Sequence, residues 1–315
     1  MMDLQVLLTS TSFMDTPGKH QELLARLPLN IHTKRGPLNE AEMLDCIAHY
    51  DALLCGDDAL TAAVLQKGHA ARLRFVSKYG VGLDKIDLQA ARDLGIPVTN
   101  CPGVNQVSVA EHFFALLLAY LRNIHTEHNE VQGHGRWTRL TGHEMFGKNL
   151  LILGLGRIGT EIARRALAFG LQVYTFDQVE ITDQNLKQQI QPVHDLEAAL
   201  PDMHFISLNL PLLPTTKHML NAERLQRLRK DAVIVNTARG ELVDQDALLE
   251  ALKQQRIGGY LTDVLDVEPM PETHPLRHLK NVLITPHIGS RTFDSVERQG
   301  LMAVENLMKG LNLEV

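Results

Sequence analysis

Three polar residues in the second half of the chain each follow closely on a run of apolar residues. Arg239 comes after AVIVNTA, Glu268 after LTDVLD and His287 after VLITP. Such short runs predict buried strands, and open α/β sheets bind ligands beyond the carboxyl ends of their strands. A guanidinium, a carboxylate and an imidazole at that edge would supply an acid or base and a group that holds an anionic substrate.

Each of these residues also has a structural interpretation. Arg239 could be a surface cation, Glu268 a turn residue before Pro269, and His287 a histidine at a helix end with a satisfied ring. Taken singly, each structural interpretation is the more common one. Taken together, after three consecutive strands of one sheet, the three residues favour a functional site.

The stretch that begins this sheet is NLLILGLGRIGTEIARRALAFGLQVYTFD, residues 149–177, which predicts a strand, a glycine turn, a helix and a second strand. Its turn fits G-x-G-x-x-G. Gly154 permits the tight turn, Gly156 lets a pyrophosphate approach the backbone, and Gly159 lets the helix pack close to the strand. The alternative is an ordinary glycine-rich turn. The motif in this strand–helix context predicts a dinucleotide-binding site instead.

The residue that ends the second strand indicates which dinucleotide binds. Asp177 lies 18 residues after Gly159, close to the ~20 expected for a carboxylate that binds the adenosine ribose hydroxyls. Such a carboxylate repels a 2′-phosphate, and Gln178 and Val179 place no base beside it. We therefore predict NAD rather than NADP as the cofactor.

The remaining pattern predicts two similar halves. Residues 1–100 alternate strand and helix patterns, and after the glycine turn strands recur at 204–209, 232–237, 259–264 and 282–285. We predict an α/β fold with two doubly wound parallel-sheet domains, and the domain that begins with the glycine turn is an NAD-binding Rossmann domain.

Two long helical patterns bear on the domain boundaries. The pattern at 108–130 is apolar nearly all round, which predicts a helix buried on several sides and partly in a homodimer interface. The pattern at 292–309 follows the last strand and would return to the first domain. The first domain is therefore predicted to be discontinuous, residues 1–101 plus 288–315, and the Rossmann domain covers 102–287.

The composition is that of an ordinary globular protein. The chain has 315 residues, of which 44% are apolar and 22% charged, and its net charge is −6. This charge gives no electrostatic reason to expect a nucleic-acid or membrane partner. The start of the chain does not resemble a signal peptide, and three cysteines without metal spacing are typical of a reducing compartment. We expect a cytoplasmic protein that binds no metal.

Four histidines cluster in sequence, His125, His128, His134 and His143. A zinc site would require a tighter pattern and a supporting ligand. We therefore interpret these histidines as solvated or as lining an interface.

The residues quoted so far carry a resemblance to the D-isomer-specific 2-hydroxyacid dehydrogenase family, and the resemblance covers nearly the whole chain. VNTARGELVDQDAL resembles the family's arginine signature, TDVLDVEP its acidic segment and TPHIGS its histidine segment. KYGVGLDKID followed by GIPVTNCPG resembles its substrate-loop region. The spacing also fits, with 29 residues from Arg239 to Glu268 and 19 from Glu268 to His287.

The resemblance implies hydride transfer between NAD and C2 of a small D-2-hydroxyacid or 2-keto acid. His287 would take the hydroxyl proton in oxidation and return it in reduction. Glu268 would bind the far ring nitrogen and favour the imidazolium. Arg239 would clamp the substrate carboxylate with its planar donor fork.

The resemblance also implies that the first domain is a flavodoxin-like domain that binds the substrate, with the substrate in a cleft between the two domains. It implies binding residues as well. The backbone N–H groups of Val81 and Gly82 would take the other side of the substrate carboxylate, with Tyr79 beside them. The cofactor-binding residues that we expect are Gly154, Gly156, Arg157, Ile158, Gly159, Asp177, Pro211, Thr237, Ala238 and Asp263, the last near the nicotinamide.

The substrate itself stays open. GDDALT and NCPG resemble phosphoglycerate-dehydrogenase-type members, but the loop of residues 55–59 is acidic where those enzymes tend to be basic. Two carboxylates would disfavour a phosphate unless Arg136, Arg139 or Arg291 compensates. The family usually has Asn where this chain has Lys85. Candidate substrates are 3-phosphoglycerate, hydroxypyruvate and glyoxylate.

Two other functions use the same fold. An NAD-sensing, corepressor-like binding protein would keep these motifs and act by binding partners. The acidic balance and the absence of tails or linkers argue against it. Formate dehydrogenase needs no base and usually has Gln where Glu268 stands here.

Overall fold

The computed structural model describes residues 4–179 and 183–313 of the chain. The chain divides into two compact units. One comprises Met1–Asn105 together with Arg291–Val315, and the other comprises Gln106–Ser290. The first unit is therefore built from both ends of the chain, and the second from one continuous segment.

The first unit contains a five-stranded parallel sheet. Its strands are β1 Leu4–Leu8, β2 Leu29–Thr33, β3 Ala52–Cys55, β4 Phe75–Lys78 and β5 Val98–Thr99. They lie in the order β2-β1-β3-β4-β5, which is the doubly wound order of flavodoxin-like sheets. The order reverses between β1 and β3, and such a reversal is where these sheets bind ligands.

Helices bury both faces of this sheet. Successive residues of a strand point to opposite faces, so Ala52 and Leu54 join one apolar cluster while Leu53 and Cys55 join another. The C-terminal helix adds Val304 to the first cluster. The helices of this unit are α1 Thr11–Asp15, α2 Lys19–Ala25, α3 Glu40–Cys46, α4 Ala62–Ala71, α5 Leu88–Asp93 and the C-terminal helix Phe293–Gly310.

The second unit contains a seven-stranded parallel sheet. Its strands are β6 Asn149–Leu153, β7 Gln172–Phe176, β8 Gln191–Pro192, β9 Phe205–Leu208, β10 Val233–Asn236, β11 Gly259–Thr262 and β12 Val282–Ile284. They lie in the order β12-β11-β10-β9-β6-β7-β8. Six of these strands follow the Rossmann order, and β12 extends the sheet beside β11. The order reverses between β6 and β9.

Seven helices of the described residues accompany this sheet. They are α6 Gln106–Leu121, α7 Ile124–His128, α8 Arg157–Ala168, α9 Gln184–Lys187, α10 Leu196–Ala199, α11 Ala222–Arg227 and α12 Gln245–Lys253. Short 3₁₀ turns add Leu200–Asp202, Gly240–Leu242 and Pro275–His278.

The single helix predicted over residues 108–130 is wrong in its second half. Helix α6 ends at Leu121, and α7 begins at Ile124 after a break. At the break Asn123 has φ 54°, in the left-handed region that asparagine tolerates better than most residues. A π-helical turn, Asn129–Gly133, follows α7.

No single helix of the described ranges is long and apolar enough to cross a membrane. Helix α6 and the segment Ile124–Gly133 together have the length and apolar composition of a membrane-spanning segment, but they are bent by 65° at the break.

Candidate active site

The glycine turn lies at the carboxyl end of β6, where the strand order of the second unit reverses. Gly154 has φ 93°, and a Cβ there would lie 2.9 Å from the backbone of Asn209. A Cβ at Gly159 would lie 2.2 Å from the carbonyl oxygen of Gly154. A Cβ at Gly156, by contrast, would meet no atom within 4 Å. The first and third glycines therefore close the turn, and the second leaves its backbone accessible.

Helix α8 begins directly after this turn. Gly156 is its N-cap, and no side chain caps the helix. The first N–H groups of a helix have no partner inside the helix, and the helix dipole attracts negative charge to them. Arg157 and Ile158 form the first turn. An uncapped helix N-terminus behind an accessible glycine fits the pyrophosphate of a dinucleotide.

Asp177 follows β7 and is tied to the turn. Its Oδ2 accepts a hydrogen bond from the N–H of Leu155 at 2.5 Å, and its Oδ1 accepts one from the N–H of Val179 at 2.9 Å. A carboxylate offers about four lone-pair sites, so both oxygens can accept further bonds. This fits a group that binds two ribose hydroxyls.

Three more predicted cofactor residues follow β9 and β10, the strands that continue the sheet beside β6. The carbonyl oxygen of Pro211 accepts a bond from Thr216 Oγ1 at 2.6 Å, and the N–H of Ala238 donates to Asn236 Oδ1 at 3.0 Å. The Oγ1 atom of Thr237 is buried without a partner among the described residues. These residues therefore lie at the same edge of the sheet as the glycine turn.

Arg239 also follows β10 and begins a 3₁₀ turn. A Cβ at Gly240 would lie 2.1 Å from the carbonyl carbon of Leu265, so only glycine lets this turn pack on the next loop. The guanidinium of Arg239 is half-buried, and its Nη1 donates to the carbonyl oxygen of Ala238 at 2.7 Å. The turn of Arg239 thus contacts the loop that leads to Glu268.

His287 and Glu268 form a pair. The ring Nδ1 of His287 lies 2.8 Å from Glu268 Oε2, and the other carboxylate oxygen accepts the N–H of Leu265 at 2.8 Å. The ring's other nitrogen, Nε2, therefore faces away from the carboxylate. Both side chains are partly exposed. A held imidazole with one nitrogen directed outward is suited to proton transfer.

A buried carboxylate holds the loop that carries this histidine. Asp263 accepts hydrogen bonds from the Thr285 hydroxyl at 2.6 Å, the N–H of Ile288 at 2.8 Å and the N–H of Gly289 at 2.6 Å. Within the loop, His287 has φ 54°, a costly conformation that persists where its surroundings fix it. Asp263 supplies those surroundings.

His112, which the sequence reasoning missed, joins this network from α6. Its Nε2 lies 2.8 Å from Thr285 Oγ1 and 3.4 Å from Asp263 Oδ1. Burial works against the charge of Asp263, but hydrogen bonds from His112, Thr285 and the loop N–H groups outweigh burial and lower the pKa of Asp263. The signal in the sequence was a histidine inside an apolar helix.

The predicted substrate residues of the first unit follow β4. Gly80 has φ 122°, and the carbonyl oxygen of Val81 accepts a bond from Asn100 Nδ2 at 2.7 Å. The N–H groups of Val81 and Gly82 donate to no protein atom in the described part of the chain. Adjacent N–H groups of this kind form anion-binding turns. The ring of Tyr79 packs edge-on against Phe13.

Across residues 4–179 and 183–313, no group of three or more His, Cys, Asp or Glu side chains could hold a metal ion. His125 Nδ1 instead lies 3.3 Å from the carbonyl oxygen of Ala119.

A Rossmann sheet with an accessible glycine turn, an uncapped helix behind it and an imidazole–carboxylate pair beyond its strands is typical of nicotinamide-dependent oxidoreductases. A sequence profile described as "D-isomer specific 2-hydroxyacid dehydrogenase, NAD binding domain" matches residues 114–289. The chain belongs to the D-isomer-specific 2-hydroxyacid dehydrogenase family, and it is an NAD-dependent oxidoreductase of 2-hydroxyacids. The predicted family and reaction class are confirmed, and the corepressor-like alternative is not favoured.

Several named relatives are similar to this chain over most of its length. A glyoxylate reductase of Korarchaeum cryptofilum is 36% identical over 89% of this chain and 85% of its own. A hydroxypyruvate reductase of Thermotoga maritima is 35% identical over 88% and 90%. A D-3-phosphoglycerate dehydrogenase of Methanocaldococcus jannaschii is 36% identical over 88% of this chain but only 53% of its own.

Solved structures confirm the fold. The TT0316 protein from Thermus thermophilus superposes with a TM-score of 0.87 at 36% identity, over 98% of this chain and 97% of its own. The two predicted parallel-sheet α/β domains are therefore those of this family.

Proposed function

We propose that the chain interconverts a small D-2-hydroxyacid and its 2-keto acid, with His287 and Glu268 as the acid/base pair. The observation that carries this proposal is the 2.8 Å contact between His287 Nδ1 and Glu268 Oε2 at the carboxyl edge of the nucleotide-binding sheet. Bound NAD supplies hydride exchange with C2 of the substrate. The protein must then move one proton at the C2 oxygen.

His287 moves that proton through Nε2. In reduction the imidazolium gives its Nε2 proton to the C2 oxygen, and in oxidation the neutral ring takes the hydroxyl proton. Glu268 fixes the ring through Nδ1 and stabilises its positive form by charge. The second bond of Glu268, to the N–H of Leu265, fixes the carboxylate in turn.

Arg239 binds the substrate carboxylate in this proposal. A guanidinium offers five donors in a fixed fork, so it can bind a carboxylate in bidentate fashion and polarise the C2 oxygen. The close packing of Gly240 on Leu265 fixes the position of the Arg239 turn relative to the loop of Glu268. Tyr79, Val81 and Gly82 remain predicted substrate residues, supported by the donor N–H groups of their turn.

NAD rather than NADP is the proposed physiological cofactor. The residues that would hold it are the glycine turn, the uncapped start of α8 and Asp177, together with Pro211, Thr237 and Ala238. The support for NAD is the negative charge of Asp177, which would repel a 2′-phosphate.

The proposed substrates are short 2-keto acids of the kind named for the relatives: glyoxylate, hydroxypyruvate or the oxidised form of 3-phosphoglycerate. A panel of these acids with pyruvate and branched 2-keto acids, run with NADH and with NADPH, tests the proposal. We expect turnover of at least one short acid with NADH. Tight NADH binding without turnover of any acid would instead favour a sensor.

We further propose that the chain forms a homodimer in the cytoplasm through the segment after α6. Ile124, Trp137, Leu140 and Phe146 are all exposed there, Trp137 and Phe146 by 76% each. Monomeric proteins seldom expose such a group of apolar side chains. The three cysteines are free thiols, as is usual in a reducing compartment.

Light scattering tests the dimer. Trp137→Ser combined with Phe146→Ser should yield a monomer. Phe293→Ser, at an apolar residue 74% exposed in the other unit, is the matched control and should leave the mass unchanged. Equal masses for both variants would contradict the proposed interface.

A further inference from the structure

Two arginines from distant parts of the sequence converge on one carboxylate of the first unit. Arg35 Nη1 and Nη2 donate to the two oxygens of Asp15 at 2.6 and 2.9 Å, and Arg291 Nη2 donates to Asp15 Oδ2 at 2.7 Å. Hydrogen bonds from Arg35 and then Arg291 hold the pKa of Asp15 well below its usual range. The carboxylate is therefore ionised, and the cluster keeps one net positive charge.

The cluster lies at the carboxyl edge of the sheet of the first unit. Asp15 ends α1, which follows β1, and Arg35 lies two residues after β2. Doubly wound sheets bind ligands at this edge. Among the described residues, the Arg291 guanidinium donates a hydrogen bond only to Asp15. Most of the N–H donors of Arg291 therefore remain available for a ligand.

A second observation at this edge points to a ligand. Tyr79 follows β4 and is only 7% exposed, yet its hydroxyl has no hydrogen-bond partner among the described residues. Burial raises the pKa of this phenol, and the charge of Arg291 acts on it in the opposite direction. The hydroxyl is therefore a neutral donor, and a buried donor without an acceptor is costly. The Tyr79 ring packs on Phe13 of α1, two residues before Asp15, with 6.2 Å between the ring centroids.

In the acidic loop that argued against a phosphate in the sequence, one carboxylate pairs with a cation and the other is buried. Asp57 pairs with the buried Lys78, whose Nζ lies 2.8 Å from Asp57 Oδ1. Asp58 is buried and accepts bonds from Thr9 Oγ1 at 2.5 Å and from the N–H of Leu38 at 2.7 Å. Asp57 is thus an exposed carboxylate paired with a lysine and Asp58 is buried, whereas the Arg35–Asp15–Arg291 cluster is accessible.

We propose that Arg291, Arg35 and the Tyr79 hydroxyl form a subsite for a second anionic group on the substrate, with Asp15 as its internal counterion. This inference rests on the proposed function and narrows its substrate class. The preferred acid would carry a phosphate or carboxylate beyond C2, as 3-phosphoglycerate does. Glyoxylate, which has no such group, would not use the subsite.

The alternative is a purely structural ion pair that fastens the start of the C-terminal helix to α1. The two roles predict opposite results for Asp15→Asn. If Asp15 has only a structural role, the substitution should change the affinity for every substrate by the same factor. A counterion, once removed, leaves two unpaired guanidinium groups, so the affinity for a doubly charged acid should rise relative to that for a singly charged one.

Calorimetry measures the dissociation constants of 3-phosphoglycerate and of D-glycerate for the full chain with saturating NADH. The ratio of the D-glycerate constant to the 3-phosphoglycerate constant is the quantity to compare between variants. The two acids differ only in the phosphate, and neither can react with NADH. We expect 3-phosphoglycerate to bind at least about tenfold more tightly, since bonds to charged groups are among the stronger ones. Arg291→Gln should lower the ratio about tenfold and Arg35→Gln several-fold, whereas Arg291→Lys should retain part of it.

Lys34→Gln is the matched control. It removes the same charge one residue from Arg35, and Lys34 donates no hydrogen bond to Asp15, which is bonded by Arg35 and Arg291. This variant should keep the wild-type ratio. The subsite would be overturned if wild type, Arg291→Gln and Arg35→Gln had the same ratio. It would also be overturned if the ratio fell in Asp15→Asn. Absence of turnover with any 2-keto acid, in a protein whose ratio depends on Arg291, would overturn the proposed function and leave the subsite standing.

Discussion

Replacing Asp263 with Asn tests how the loop of His287 is held. The carboxylate is only 3% exposed and accepts bonds from one hydroxyl and two backbone N–H groups, with His112 beside them. Asn keeps one acceptor but turns an NH₂ group toward donors. Leaving buried donors unpaired and removing a buried charge partner costs about 3–5 kcal/mol.

The loss should appear in both stability and rate. We expect the free energy of unfolding in urea to fall by about that amount, which an enzyme of ordinary stability survives. Because the loop would no longer hold His287 in place, kcat should fall by about 100-fold. Asp45→Asn, at an exposed carboxylate, is the control and should change stability by less than about 0.5 kcal/mol.

The pH dependence gives an independent measurement. The pKa of Asp263 is lowered in the folded protein, so its contribution is present above the unfolded value of about 3.9 and is lost as pH falls through the folded pKa. The stability difference between wild type and Asp263→Asn should therefore be constant near neutral pH and shrink below about pH 4. A variant with wild-type kcat and an unchanged urea midpoint would refute this account of the loop.

Two other substitutions test the proposed chemistry. Glu268→Gln removes the charge beside His287 but keeps a hydrogen-bond acceptor. Because the side chains of His287 and Glu268 are 38% and 34% exposed, we discount the contribution of their bond to about 1–2 kcal/mol and expect kcat to fall about 5- to 30-fold. A wild-type kcat in this variant would count against the His287–Glu268 pair. Asp177→Asn can keep the bond from Leu155 while removing the charge, so steady-state kinetics should show the NADP to NAD ratio of kcat/KM rising about tenfold; an unchanged ratio would contradict the ribose role.

The sequence predicted the parts of the site that depend on local spacing. The glycine turn, the start of α8 and Asp177 lie within 29 residues, and glycine at 154 and 159 is required by close backbone contacts. The contact between Glu268 and His287 was also predictable, since the carboxyl ends of neighbouring parallel strands meet at one edge of a sheet.

Contacts between distant residues could not be predicted in this way. His112 and Thr285 are 173 residues apart, and Arg291 and Asp15 are 276 apart. No periodicity indicates which buried histidine meets which hydroxyl, or which surface arginine shares a carboxylate. The acidic loop was interpreted from its charge alone, without the buried Lys78 that pairs with Asp57.

One error in secondary structure also has a local cause. The long apolar pattern after residue 108 continued through Asn123, where the backbone turns left-handed and ends the helix. Helical periodicity extends across such a break, because the residues on either side remain favourable for helices.

The most direct test of the proposed chemistry is the turnover of His287→Ala with the best 2-keto acid, measured alongside its dissociation constant for NADH. Removing the ring deletes proton transfer while leaving the glycine turn and Asp177 intact. We predict that kcat falls by about 100- to 10,000-fold and that the NADH dissociation constant stays within about twofold of wild type. Turnover within about twofold of wild type would contradict the assignment of His287 as the acid/base.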